Sequence, residues 1–218
     1  MIERVKDTPI YEMYTISSET EIVNCPTFEV SHFLWNSSQQ PKTVGRMGYL
    51  AGKGIFVRMT CYEKNPKRTF YKHRDPVYQD SAMEAFFAFP NQHLTDVGAL
   101  ESNDILYFNF EINANGAMLA QYGAERYKRT FLTDEEYALT AAKATVEEDG
   151  WSIELLVPNQ LLKKVADISE IYCGMVFYCN FYKISESKEI EHYGAYSEIF
   201  SETPDFHLPQ YFAKAVRR

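Results

Sequence analysis

Alternation of apolar and polar positions with a period of two runs through most of the chain and predicts β-strands. Residues 54–62 (GIFVRMTCY) set Ile55, Val57, Met59 and Cys61 against Phe56, Arg58, Thr60 and Tyr62. Residues 81–89 (SAMEAFFAF) form a nearly continuous apolar run interrupted by Glu84. Residues 105–113 alternate most cleanly, with Tyr107, Asn109, Glu111 and Asn113 on one face and Phe108, Phe110 and Ile112 on the other. Asn115-Gly116 then predicts a hairpin turn, because both residues tolerate positive φ, and residues 117–122 return antiparallel. A second turn signal, Asp149-Gly150, precedes Trp151, Ile153, Leu155 and Val157, which alternate up to Pro158. Residues 138–146 read as the partner strand of that hairpin. Thr133-Asp134-Glu135-Glu136 has capping-box spacing and predicts at most one helical turn at 133–137. Residues 159–166 predict a short helix capped by Asn159. Residues 171–183 predict a long strand, and the chain after Ser197 reads mostly as loop. Seven or more short strands separated by turn signals predict an all-β fold. The expected architecture is a two-sheet antiparallel β-sandwich, jelly-roll-like, with one or two short helices. No repeat or linker interrupts residues 1–218, so one domain is expected.

Composition narrows the partners. Lys and Arg number 22 against 30 Asp and Glu, a formal charge of −8, which argues against a nucleic-acid or anionic membrane surface. No apolar run approaches the ~20 residues of a membrane span. Hydrophobic residues at 45% and aromatic residues at 15% exclude a disordered chain. Residues 1–7 (MIERVKD) lead into no apolar segment, so no signal peptide is expected. Cys25, Cys61, Cys173 and Cys179 show no C-x-x-C pairing and read as reduced, mostly buried thiols, with Cys173 and Cys179 on one predicted strand. Together these predict a cytoplasmic protein. His32, His73, His93, His192 and His207 never fall at paired metal spacing, and no nucleophile elbow or phosphate-binding loop is present. Neither a metal nor a cofactor is expected.

The carboxylates carry the candidate chemistry. Glu84 lies in the most apolar segment of the chain, where an unpaired carboxylate costs several kcal/mol unless it faces water or a partner. Glu111 stands between Asn109 and Asn113 on a polar strip. One alternative has each carboxylate paired with an arginine, such as Arg58 or Arg126, in a structural network. Another has both facing one cleft, as ligand-binding groups or as the paired carboxylates of a glycosidase. The abundant tyrosines are mainly strand core by propensity. They also suit a sugar, whose C–H face packs on a ring while Asn and Glu meet its hydroxyl rim.

Asp75-Pro76-Val77-Tyr78-Gln79-Asp80-Ser81-Ala82-Met83-Glu84-Ala85-Phe86 resembles the D-P…W-x-Q-D-S-x-E-x-F pattern of family 9 carbohydrate-binding modules. The run 107–113 resembles the strand that follows in that family, 149–158 resembles its G-W-x-x-E-x-x-I-P hairpin, and 174–180 resembles a later strand. The resemblance spans about residues 28 to 213. It implies a β-sandwich that binds a plant or dietary oligosaccharide or the end of a polysaccharide, with two tryptophans clamping the sugar. Carried over position by position, the polar set falls on Glu84, Asn109, Glu111 and Asn180. Asn109 stands where the family has an arginine, and Glu111 replaces a neutral amide. The first clamp tryptophan falls on Val77, beside Tyr78, and the second near Phe206. The implied ligand-binding set is therefore Glu84, Asn109, Glu111, Asn180 and Arg58, with Tyr78, Tyr182 or Phe206 stacking. Trp151 is the family's hairpin tryptophan and reads as core, whereas Trp35 is a candidate platform with no family role. A glycoside-processing enzyme using Glu84 and Glu111, and a sensor or interaction domain for a non-sugar ligand, remain as alternatives.

Overall fold

The computed structural model describes residues 8–90 and 105–218. The opening residues 1–7, read above for a leader, and His93 lie outside the described residues. The described chain forms β1 (Ile10–Ile16), β2 (Thr27–Val30), β3 (His32–Phe33), β4 (Thr43–Leu50), β5 (Gly54–Cys61), β6 (Ala82–Ala88), β7 (Tyr107–Asn113), β8 (Met118–Gly123), β9 (Thr130–Phe131), α1 (Asp134–Leu139), β10 (Lys143–Val146), β11 (Trp151–Pro158), α2 (Asn159–Ala166), β12 (Val176–Ser185), β13 (His192–Ala195) and β14 (Ala213–Arg217). Among the described residues, no helix is long and apolar enough to cross a membrane.

Two sheets pack face to face as a β-sandwich. The front sheet runs β14-β12-β6-β7-β8-β9, with β13 and then β3 continuing from the later half of β12. The back sheet runs β10-β11-β5-β4, with β2 on the far edge of β4. Alternation places Ile55, Val57, Met59, Ile153 and Leu155 of the back sheet against Phe87, Phe108, Phe110, Phe177 and Phe181 of the front sheet. Phe28 stacks on Phe181 with ring centres 3.9 Å apart, which pins one sheet to the other. Trp151 is buried in this core.

β1 belongs to both sheets. Its first half pairs with β14 and its second half with β4, and both pairings are parallel. The sandwich is therefore not wholly antiparallel, and the tail after Ser197 is not all loop. β14 buries Ala213 and Ala215 in the middle of this seam, and five residues framed by Lys and Arg are too short to announce a strand.

The middle of the chain also departs from expectation. Residues 138–146 split into a helix and a strand. Thr133 accepts from the Glu136 amide while the Glu136 carboxylate accepts from the Thr133 amide, so the capping box nucleates α1 as far as Leu139. Ala141 at φ 46° then breaks the path, and only Lys143–Val146 remain to pair with β11. Gly150 turns without a positive φ. A β-carbon there would sit 2.4 Å from the Cys61 carbonyl oxygen, so close approach of β5 is what requires glycine. Asn159 is the first residue of α2 rather than its cap, and its amide donates to the Tyr49 hydroxyl. Gly174 at φ 86° turns the chain before β12 begins at Val176, so Cys173 is exposed and off the strand that buries Cys179.

Candidate functional site

The outer face of the front sheet is buried too, because residues 197–212 fold back across part of it. Tyr182, Glu84, Glu111 and Leu119 stand side by side across β12, β6, β7 and β8, and one step along each strand Asn180, Phe86, Asn109 and Gln121 do the same. The returning segment is tied down over β12. Phe206 stacks on Tyr182 at 4.0 Å, and the Tyr182 hydroxyl donates to the Phe206 carbonyl. Asn180 accepts from the Ser197 amide and donates to its carbonyl.

What the segment leaves uncovered is a cleft of about 290 Å³. Glu84, Glu111, Leu119 and Gln121 come from the central strands, Tyr193 from the short β13, and Trp35, Tyr78, Arg126, Glu186, Phe206 and His207 from the segments around them. Trp35 is braced for a wall. Its ring meets Tyr193 edge-on at 5.6 Å and Phe206 at 5.6 Å, and its indole N–H donates to the Ser201 carbonyl.

The floor is acidic and poorly compensated. Glu84 is 2% exposed and takes no hydrogen bond among the described residues. Burial pushes it well above the ordinary carboxylate range, and the neighbouring Glu111 and Glu186 push the same way. Burial raises Glu111 to about 7, although Asn109 donates to it at 2.9 Å and the Arg129 charge opposes the rise. Glu186 on the rim is also raised, by burial and by Glu191. Each floor carboxyl donates and accepts while protonated and only accepts once ionised. His207 is pushed down to about 3 by burial and by Arg129 and Arg126, so it stays neutral.

The expected site residues separate into groups. Glu84, Glu111, Tyr78 and Phe206 line the cleft. Asn109 lies behind Glu111, donating to it while accepting from Arg129 Nε at 3.0 Å. Asn180 and Tyr182 are buried and spent on the returning segment, so neither offers a free group or a free ring. Arg58 is a correction. It lies on β5 of the back sheet, directly opposite Glu154 and bonded to it through Nε at 2.7 Å, because the alternation that buries Val57 turns residue 58 outward on the far side. Arg126 pairs with Asp205 rather than with either floor carboxylate. Glu186, Tyr193, Asp205, His207 and Gln121 belong to the site without having been singled out. All but Gln121 come from loops or the short β13, where periodicity carries no signal.

Chemically, the cleft offers a hydroxyl-binding floor beside ring walls. A family model described as Carbohydrate-binding family 9 matches residues 20–216. Among solved structures, a candidate carbohydrate-binding protein from Bacteroides uniformis ATCC 8492 is similar over 97% of this chain and 100% of that one, with 18% identity and a TM-score of 0.77. A family 9 carbohydrate-binding module from Caldicellulosiruptor kristjanssonii is similar in two complexes. With cellotriose the identity is 11%, the coverage 96% of this chain and 93% of that one, and the TM-score 0.60. With glucose the figures are 13%, 96% and 95%, and 0.61. At these identities the likeness is one of fold. No curated protein matches the chain.

Proposed function

The chain belongs to carbohydrate-binding family 9, and from that premise we propose that it is a non-catalytic carbohydrate-binding protein that holds the end of a plant or dietary oligosaccharide or polysaccharide in the front-sheet cleft. The observation that carries this reading is the pairing of the Glu84–Glu111 floor with the ring wall of Trp35, Tyr78, Tyr193 and Phe206. A pyranose presents C–H groups to a ring and hydroxyls at its edge, and this cleft meets both demands. Its volume lies at the small end of ligand pockets, about 300–1,000 Å³, which suits a chain end rather than a long run of sugar units. Trp35 supplies a tryptophan from a loop near the start of the chain, although neither position matched to a clamp tryptophan carries one.

The same carboxyls speak against hydrolysis. A glycosidase sets its two carboxyls on either side of the scissile bond. Glu84 and Glu111 rise in direct register from neighbouring strands, both from the floor, and so stand on one side of a bound ring. Calorimetry across gluco- and xylo-oligosaccharides tests the reading, with product analysis after long incubation. Binding without new reducing ends is expected. Folded protein that shows no heat with any sugar at millimolar concentration would sink it.

A further inference from the structure

The cleft gathers more acidic groups than cations to match them. Glu84 and Glu111 are directly opposed on β6 and β7, and Glu186 joins them from the loop after β12. The cations nearby are committed elsewhere. Arg126, on the rim, is paired with Asp205. Arg129 lies behind the floor, stacked 3.9 Å over the Tyr107 ring, and donates to Asn109, to the Tyr107 carbonyl at 2.9 Å and to the Gly123 carbonyl at 3.3 Å. Lys183 faces the other side of the sheet, 3.4 Å from Glu63. His207 is uncharged. Glu84 adds a separate observation: it is 98% shielded from water, borders the cleft, and has no hydrogen-bond partner among the described residues. A carboxyl so far withdrawn from water, with no donor from the described residues and its oxygens bordering the cleft, leaves its acceptor capacity to whatever enters there.

A neutral sugar would meet such a floor through its hydroxyls alone and would leave the mutual repulsion of the ionised carboxylates in place. A ligand with its own ammonium group would let them ionise and would turn their mutual repulsion into attraction. We propose that the cleft selects a sugar bearing a free primary amine, an amino sugar at the end of an oligosaccharide, over the corresponding neutral or N-acetylated sugar. This rests on the cleft being the carbohydrate site. The ring wall supplies the sugar part of the recognition and the three carboxyls the amine part.

The test is calorimetry of the full chain at one pH with the glucosamine disaccharide, its N-acetylated form and cellobiose, and with 1,4-diaminobutane as an amine without a ring. A charge-assisted hydrogen bond adds roughly 1.5–3 kcal/mol, so the free amino sugar is expected to bind about 10- to 100-fold tighter than either neutral disaccharide. That advantage should shrink with added salt. It should also shrink in Glu84→Gln and Glu186→Gln, which lose more affinity for the amino sugar than for cellobiose. Thermal melts of both variants establish that they are folded. Neutral sugars that bind as tightly as the amino sugar would overturn the proposal and leave the cleft as a carbohydrate site. Diaminobutane binding as tightly as the amino sugar would overturn the sugar half of it. No binding of any of these ligands to folded protein would overturn both this proposal and the reading beneath it.

Discussion

Glu63 and Glu84 lie on opposite faces of the front sheet, each largely withdrawn from water. Burial alone would raise both. Glu63 is nevertheless held below the ordinary carboxylate range, because it faces the Lys183 ammonium at 3.4 Å, a Ser81 hydroxyl and the Trp151 indole N–H at 3.2 Å. Lys183 in turn donates to Ser81 at 2.7 Å and lies 2.8 Å from His192. Glu84 has no such donor, feels the Lys183 charge only weakly from across the sheet, and is pushed the other way by burial and by Glu111 and Glu186. Burial by itself therefore does not tell a structural acid from a binding one, whereas the number of donors the protein supplies does. The interior cluster is closed on itself. The cleft acid keeps its hydrogen-bonding capacity for something else.

The sharpest way to break this contrast is to remove the cation. Lys183→Met leaves Glu63 buried without its counter-charge and should cost about 3–5 kcal/mol in urea unfolding. Adding Glu63→Gln should recover much of that. A single-variant cost below ~1 kcal/mol would mean that the cluster is not what holds Glu63 ionised. On the cleft side, Trp35→Ala removes the braced ring and should weaken sugar binding by about tenfold or more in calorimetry. Unchanged affinity would remove Trp35 from the wall.

Proton linkage separates the two acids by sign. Glu84 and Glu111 have raised folded values, so their contribution to stability is fully present below the unfolded carboxylate value and is lost as pH climbs through the folded one, near 7 for Glu111. Glu63 has a lowered folded value, so its contribution is present above the carboxylate range and is lost as pH falls through its folded value. Glu111→Gln should gain on the parent in melting temperature between pH 5 and pH 8, by roughly 2–4 °C for each kcal/mol relieved. A constant difference across that range would refute the assignment. The smallest effect belongs to the back sheet. Arg58→Ala breaks a partly buried ion pair at the surface of the back sheet, worth about 1 kcal/mol, and should leave sugar affinity unchanged.

The strands that carry the floor were legible in the sequence. A strict period of two around Glu111, and a single acid inside residues 81–89, suffice to put Asn109 and Glu111 on one face and to mark Glu84 as exceptional. Period alone does not say what covers a face. Asn180 and Tyr182 share the outward side of β12 with Ile184, and only the path of residues 197–212 decides that the first two are sealed while Ile184 reaches the cleft. Arg58 fails for a related reason. Alternation separates it from Ile55, Val57 and Met59 but does not reveal which sheet a strand joins. The walls were the least legible part. Trp35 at φ 50°, Tyr193, Asp205 and His207 are brought together by tertiary contacts between segments far apart in the chain.

The shared strand β1 bears on how the chain assembles. Ile10 pairs with Lys214, about two hundred residues away, and the same strand goes on to meet β4 at Gly48. Closing so long a loop costs only logarithmically more free energy than closing a short one, but it must be completed before its contacts repay it, and pairings of this range slow folding. During synthesis the early hairpin of β4 and β5 can form at once. The seam between the sheets must wait until β14 is made. Until then β1 and β12 carry unpaired edges, the condition in which a nascent β-protein is most exposed to aggregation.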